Sequence, residues 1–441
     1  MTRRALALKI VRELRARGHQ AFLVGGCVRD RLLGIEPKDY DVSTDAPPHT
    51  VLSYFPQSQP VGAHFGVILV GSSGGTHVEV ATFRSEGGYA DGRRPEEVHF
   101  ELDPRLDVMR RDFTINGLME DPISGEILDF CGGQPDLRDG IVRAIGDARV
   151  RFEEDHLRML RAVRFAARLH FRIEPVTMAA VQEQAPAIHR ISAERTRDEL
   201  IRILTEGDAR RGLELLDESG LLTEVLPEVK AYQGVAQPAE FHPEGDVWIH
   251  TLMMLAKLDR PSVALAFGVL LHDVGKPPTF RVADRIRFDG HAEVGAQIAA
   301  RILTRLKFSN DQIDQIVALV ANHMRFKDVM QMRPSTLKRF LRRPDFEEHL
   351  ELHRLDTQAS NGYTAAYDFV RDQLGHLGEE ELRPRRFING KDLIEAGYQP
   401  GPLFSKALEA VETAQLEGEI STKDEAMARA RAVLDNEQEG L

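Results

Sequence analysis

Cysteine is scarce. Cys27 and Cys131 are the only two in 441 residues, too few for a disulfide framework, and no Cys-x-x-Cys spacing offers a zinc site. That usage fits a reducing cytoplasm. Long apolar runs are lacking as well: the longest, near "SVALAFGVLL", is too short to span a bilayer and reads as a buried helix. The opening "MTRRALALKIVRELRARGHQ" scatters arginines, and Glu13, through its apolar residues, so it reads as a surface amphipathic helix and not as a signal peptide; Glu13 also argues against a transit peptide. An excess of positive charge is missing too. The net charge is -12, which excludes nucleic-acid binding by global charge and leaves any RNA contact to local patches such as "STLKRFLRRPDF" and the arginines of 151–172. There is no internal repeat and no long low-complexity linker.

What is present is 42 % hydrophobic residues, enough for sizeable cores, in a chain long enough for two to four domains. Residues 1–18 look helical. From 21 to about 147, short β-like runs such as "GVILVG" and "HVEVATF" alternate with Gly, Pro and Ser breaks, the pattern of an α/β or α+β domain with a short sheet. Apolar residues then fall at three and four spacing, in "HLRMLRAVRFAARL" and "RRGLELLDESGLL", and the rest of the chain stays helical. The expected division is 1–147, 148–235, 236–360, where histidines gather, and 361–441.

The stretch "FLVGGCVRDRLLGIEPKDYDVST" sets a glycine turn close to two carboxylates. Residues two apart in a strand share a face, so Asp39 and Asp41 project together with Tyr40 turned away. Two such carboxylates repel unless a cation lies between them, and Mg²⁺ prefers oxygen ligands completed by phosphate. Gly25 and Gly26 let backbone N–H groups approach a phosphate ahead of an amphipathic helix, and Arg29, one turn in, can reach the same anion. Glu79, alternating with Val78 and Val80, is a candidate third carboxylate for the metals.

These residues resemble a known family. "LVGGCVRDRLLG" followed by "KDYDVST" is similar to the first motif of class II tRNA nucleotidyltransferases and bacterial poly(A) polymerases, within the DNA polymerase beta superfamily. In order, "VEVATFRSEGGYADGRRPEEVHF" resembles its flexible-loop segment and "RRDFTINGLMEDP" its second motif, with Gly117 where the family usually has Ala. "EEDHLRMLRAVRFAARL" resembles its nucleobase-reading helix and "INGKDLIEAGYQPGPLFSKAL" a C-terminal segment. The resemblance implies an α+β fold: a DNA polymerase beta-like nucleotidyltransferase head with a mixed sheet, followed by helical neck, HD and tail domains. Arg111 suits a triphosphate oxygen because its fork donates bidentately, and Asp112 and Asn116 could bond ribose hydroxyls. In a helix over 154–168, at about 100° per residue, Arg158, Arg161, Arg164 and Arg168 share one face, opposite Leu157, Leu160, Val163 and Ala167. Asp155 lies one turn before Arg158. A carboxylate accepts from an exocyclic amine and arginine donates to a ring nitrogen, so this pair can read a base, with Arg161 and Arg164 in support.

A second constellation follows. His250 stands at a helix start, His272 and Asp273 in "LLHDVGKP", and Asp356 in "HRLDTQASNG"; that order resembles an HD metal-dependent phosphohydrolase, with His291 and His323 as candidate additional ligands. Imidazole with carboxylate suits Mn, Ni, Fe, Co or Zn better than Mg. The expected activity is template-independent addition of CMP and AMP, from CTP and ATP with Mg²⁺, to the 3′ end of tRNA, with a transition metal and a second hydrolytic activity in the HD segment. The expected compartment is the cytoplasm, with no membrane partner. The alternatives are an A-adding or poly(A)-adding relative, an HD phosphohydrolase with a vestigial head, and a non-catalytic RNA-binding protein. The intact loop "YADGRRPEEV" argues against a CC-only enzyme.

Overall fold

The computed structural model describes residues 1–62, 65–71, 75–87, 97–240, 242–243 and 245–438. The middle of the expected flexible loop, residues 88–96, lies outside them. The chain forms two compact units: Met1–Ala231 with Leu258–Val263 and Ile302–Ser309, and Tyr232–Lys257, Ala264–Arg301 and Asn310–Leu441. The expected head lies in the first unit, as does the expected neck through Ala231.

In the first unit the helix Arg3–Ala16 starts at Thr2, whose side chain accepts from the Ala5 N–H, and buries Leu6, Ala7, Ile10, Val11 and Leu14 at helical spacing. The sheet is built from β1 (Ala21–Val24), β2 (Asp41–Thr44), β3 (Ser58–Gly62), β4 (Val67–Gly71) and β5 (His77–Thr82). Arg84–Gly87 (β6) and Glu97–Phe100 (β7) pair separately with each other, and Met119–Glu120 (β8) and Ile127–Leu128 (β9) complete the main sheet. Its order is β3-β4-β5-β2-β1-β8-β9. The sheet is mixed, because β2 runs parallel to β5 while β1 pairs antiparallel with β2. Alternation sets its faces: Val78 and Val80 are buried and Glu79 is exposed, with Ile68 and Val70 buried on the neighbouring strand. The register sets Asp41 opposite Glu79 on one side and Val24 on the other.

The expected continuous helix over 154–168 is interrupted. One helix, Ala148–Glu154, ends at Asp155, whose backbone is extended (φ -149°, ψ 101°), and a second runs Leu157–Leu169. Asp155 Oδ1 accepts the Leu157 N–H, so the carboxylate caps the second helix instead of riding on the first. The apolar half of the second helix is buried as its spacing requires.

The second unit is helical. "SVALAFGVLL" forms the helix Val263–Leu271, buried from Ala264 to Leu271, and among the described residues no helix is long and apolar enough to cross a membrane. One core gathers Phe326, Phe340, Phe346 and Leu350, and another gathers Leu393, Val411 and Leu434. The basic patch in "STLKRFLRRPDF" is partly tied down within the fold. Arg339 and Arg342 pair with Glu412 at 3.0 and 2.8 Å, and Lys338 donates to the Leu416 carbonyl. These cations fasten Pro334–Leu341 to the helix Pro402–Glu417.

Candidate active site

In the first unit a cavity of about 520 Å³ is lined by Gly25, Gly26, Arg29, Asp39, Asp41, Arg111, Asp112, Asn116, Asp155, Arg158, Arg161 and Arg164. Residues spread over 140 positions of sequence thus meet at one surface. Of the head and neck residues expected to bind metal or nucleotide, only Glu79 is outside the lining; it stands beside Asp41 across the parallel strand pair.

Gly25 has φ +73°, a conformation L side chains rarely adopt, and a Cβ there would meet Arg111 Nη1 at 3.3 Å. The turn therefore brings backbone and guanidinium together. Arg111 is braced by Asp107, which accepts from it at 3.0 Å and also pairs with Arg110; burial pushes Asp107 up, but the two arginines hold it below the usual carboxylate range. Arg111 Nε has no hydrogen-bond partner. Asp41 opens β2, while Asp39 lies two residues before the strand, not on it as the alternation predicts, and pairs with Arg3 at 3.3 Å, both largely exposed. Burial first, then the charge of Glu79, pushes Asp41 up to about 6; Arg111 opposes this and Asp39 adds to it. A carboxylate raised by burial and by neighbouring carboxylates is one that a divalent cation would relieve, and the all-oxygen donor set fits magnesium.

Asp112 and Asn116 do not stand free. Asp112 Oδ1 accepts from the Phe113 N–H and from Asn116 Nδ2, and Oδ2 accepts from Arg161 Nε at 2.8 Å. Asn116 Oδ1 in turn accepts from Arg29 Nη1 at 2.6 Å. Burial raises Asp112, but Arg161 and the Asn116 bond outweigh it and hold the carboxyl below its usual range. Arg29 is buried and bound to Asp30, which also holds Arg168 at 3.1 Å. The arginine stripe is accordingly not a solvated face: Arg164 pairs with Glu199 at 2.7 Å with both side chains buried, and Arg161 pairs with Asp112. Asp155 is gripped by Arg195 at 2.8 and 3.2 Å. Arg158 donates to the Arg110 and Arg151 carbonyls and to Glu154. Asp30, Asp107, Phe165, Arg195 and Glu199 were not singled out from sequence; only Asp107, four residues before Arg111, left a readable spacing.

In the second unit His250, His272, Asp273, His291, His323 and Asp356 converge. Two overlapping groups share Asp273: His250, His272 and Asp273, and Asp273, His291 and His323, with the ligand atoms of each group within 4.8 Å of one another. Asp356 lies 3.1 Å from His250. His272 and Asp273 sit just past the end of the apolar helix, not within it. Gly275 explains how His291 reaches them, since a Cβ there would lie 2.0 Å from the His291 carbonyl. Nδ1 of His291 and His323 lies 2.9 and 2.7 Å from a backbone carbonyl. A carbonyl only accepts, so Nδ1 carries the hydrogen and Nε2 the lone pair. Burial lowers His291 and pulls His323 down to about 4, so both rings are neutral at pH 7. Their Nε2 atoms face each other at 3.2 Å. Burial opposes ionisation of Asp273, but His272 and Lys276 hold it well below its usual range. Two lone pairs and a carboxylate aimed at one point fit a divalent metal with mixed nitrogen and oxygen ligands. A cavity of about 690 Å³ opens on this centre, lined by His291, His323, His353, Asp356, Lys276 and Lys327 among others.

A carboxylate-bearing mixed sheet, a glycine turn against an arginine, and a helical wall of ion-paired arginines define a nucleotide-transferring enzyme. Residues 21–143 match the family described as "Poly A polymerase head domain", 170–233 the "Probable RNA and SrmB-binding site of polymerase A", and 291–430 the tRNA nucleotidyltransferase domain 2. The CCA-adding enzyme of Latilactobacillus sakei is 30 % identical over 434 residues, 97 % of each chain. The multifunctional CCA protein of Neisseria gonorrhoeae is 38 % identical over 391 residues, 86 % of this chain and 90 % of that one. The crystal structure of the Bacillus stearothermophilus CCA-adding enzyme in complex with CTP superposes with a TM-score of 0.75 at 28 % identity, covering 98 % of both chains. The chain belongs to the CCA-adding family of tRNA nucleotidyltransferases, which are metal-dependent enzymes. The matched family stretches stop at 233 and resume at 291, so the HD reading rests on the geometry of its ligands.

Proposed function

We propose that the first cavity adds CMP and AMP to the tRNA 3′ end with Asp39 and Asp41 as the catalytic carboxylates. The observation that carries this is the single cavity joining those carboxylates to the glycine turn, Arg111, and the Asp155–Arg158 wall. Magnesium held by Asp39 and Asp41, with Glu79 beside them, would supply activation of the primer hydroxyl and charge neutralisation on the triphosphate. Gly25, Gly26 and Arg111 bind phosphate oxygens. Arg29 spends three of its five N–H hydrogens on Asp30 and Asn116, which fixes the Asn116 amide and leaves one hydrogen on each Nη for a phosphate oxygen. Asn116 keeps one N–H for a ribose oxygen, while Asp112, already holding three donors, fixes the direction of that amide. Asp155 and Arg158 edge the base, each oriented by the bonds it makes to the protein, and Arg161 and Arg164 complete the wall. Asp39→Ala or Asp41→Ala should abolish nucleotide incorporation while leaving the thermal melt within a few degrees of the parent; near-normal incorporation in Mg²⁺ by either variant refutes the assignment.

The facing Nε2 atoms of His291 and His323 favour a second reading for the other unit: a transition-metal phosphohydrolase centre held by His250, His272, Asp273 and Asp356, with His291 and His323 as further ligands. Metal analysis of the purified protein, with hydrolysis of a 2′,3′-cyclic nucleotide as the activity assay, tests it; a protein that retains no metal after exposure to Mn, Co, Ni and Zn contradicts it.

A further inference from the structure

Phe165 lies at the centre of an arrangement that the nucleotide contacts alone do not explain. The guanidinium carbons of Arg29, Arg161 and Arg164 lie 5.0, 5.3 and 4.4 Å from the centroid of its ring. Three cations around one ring repel one another, and each has its own carboxylate: Asp30, Asp112 and Glu199 respectively. The ring itself is 5 % exposed and lines the cavity. Its edge contact with Phe113, centroids 5.9 Å apart at 80°, reaches the backbone that carries Asp112 and Asn116.

Two of these arginines hold the polar pair assigned to the ribose. Arg29 donates to Asn116 Oδ1, and Arg161 to Asp112 Oδ2. The Asn116 amide is thereby locked from both ends, with Oδ1 toward Arg29 and Nδ2 toward Asp112. The plane of Arg29 is already fixed by bonds to two partners, Asp30 and Asn116, but Arg161 meets one carboxylate oxygen of Asp112 and can still rotate about the axis of that pair. A flat ring against it fixes the plane, because the attraction depends on the ring face and its quadrupole.

We propose that Phe165 is a positioning residue for sugar selection: by fixing the plane of Arg161 it holds Asp112, and through it the Asn116 amide, toward the ribose, so that ribonucleotides are preferred over deoxyribonucleotides. This rests on the assignment of Asn116 and Asp112 to the ribose. Leucine at 165 keeps an apolar side chain but offers no ring face; tyrosine keeps the face.

The test measures kcat/KM of the full-length enzyme for CTP against dCTP, and for CTP against UTP, on a tRNA lacking CCA, with thermal melts of every variant. Phe165→Leu should lower the CTP-over-dCTP preference roughly tenfold, the scale set by losing well-ordered cation–ring contacts, and leave the CTP-over-UTP preference within about threefold of the parent. Phe165→Tyr should restore the sugar preference. Should Phe165→Leu melt below the assay temperature, Phe165→Met takes its place, since methionine fills irregular gaps. Asn116→Ala is the control for the underlying assignment. If Asn116→Ala keeps the parent sugar preference, the ribose assignment falls and the Phe165 role with it. If Asn116→Ala loses that preference while Phe165→Leu keeps it, or if leucine and tyrosine behave alike, the Phe165 role alone is overturned.

Discussion

Gly117 stands where the family resemblance implies an alanine, and the packing around it gives a quantitative prediction. Its backbone is ordinary, φ -88°, so no left-handed conformation demands glycine. Space does: a Cβ would lie 2.6 Å from Cys131 Sγ, 3.1 Å from Val108 Cγ1 and 3.2 Å from Ile145 Cδ1. Val108 and Ile145 are buried in the core beside the sheet, and Cys131 packs against the same cluster with its thiol pushed up to about 12, chiefly by burial. Forcing a methyl into such a site costs about 1–3 kcal/mol, offset by about 0.4–1 kcal/mol from the stiffer unfolded chain. Gly117→Ala should therefore destabilise by about 1–2 kcal/mol, a fall in Tm of roughly 2–8 °C for a unit of this size. The nearest contact is the sulfur, so Cys131→Ala should accommodate the new methyl, and the double variant should be about 1 kcal/mol or more better than the sum of the two singles. Urea and thermal unfolding of the four proteins measure this cycle. A Gly117→Ala protein as stable as the parent, or strictly additive singles, refutes the steric coupling.

Three further outcomes follow from the sites. His272→Ala with Asp273→Ala should remove bound transition metal from the second unit and leave nucleotide addition largely intact; loss of both in a folded protein would point to one composite site. Asp155→Ala and Arg158→Ala should each relax rejection of GTP and UTP by roughly ten- to a hundredfold, the worth of one good base contact, and Arg195→Ala should reproduce part of the Asp155 effect because it releases that carboxylate; unchanged rejection in all three places base reading elsewhere. Asp112, held below its usual range in the folded state, contributes stability that is complete above its unfolded value near 4 and lost as pH falls further. Asp112→Asn should therefore flatten the acid limb of stability between about pH 4 and 2, and an unaltered limb by pH-dependent melting counts against the Arg161–Asp112 bond as a stabiliser.

Much of the first site was readable from spacing alone. Val78, Glu79 and Val80 alternate as a half-buried strand must, and Gly25-Gly26 and Asp39–Asp41 mark a turn and a carboxylate pair without any tertiary information. The helix from Leu157 carried its arginines on one face, as its period requires. What periodicity could not reveal is who answers each charge. Asp30, Asp112 and Glu199 come from distant segments, and they turn the stripe into a wall of ion-paired arginines. Asp155 leaves the helix because its side chain caps Leu157 and meets Arg195, both long-range or local competitions that a helical wheel ignores. Glu412 pairs with two of the four cations of a patch that looked basic for the same reason. In the second site the order His, His-Asp, Asp was visible, but the approach of His291 depends on Gly275, whose missing side chain is meaningful only once the two backbones are seen in contact.

The most direct measurement supplies tRNA ending before CCA, after C, and after CC with each labelled nucleotide separately and then with CTP and ATP together. The expected result is CMP on the first two substrates, AMP only after CC, a completed CCA with both nucleotides, and no addition from UTP or GTP. Addition of AMP to tRNA lacking both cytidines, or a lengthening tail of A, would contradict the assignment of this cavity to CCA synthesis.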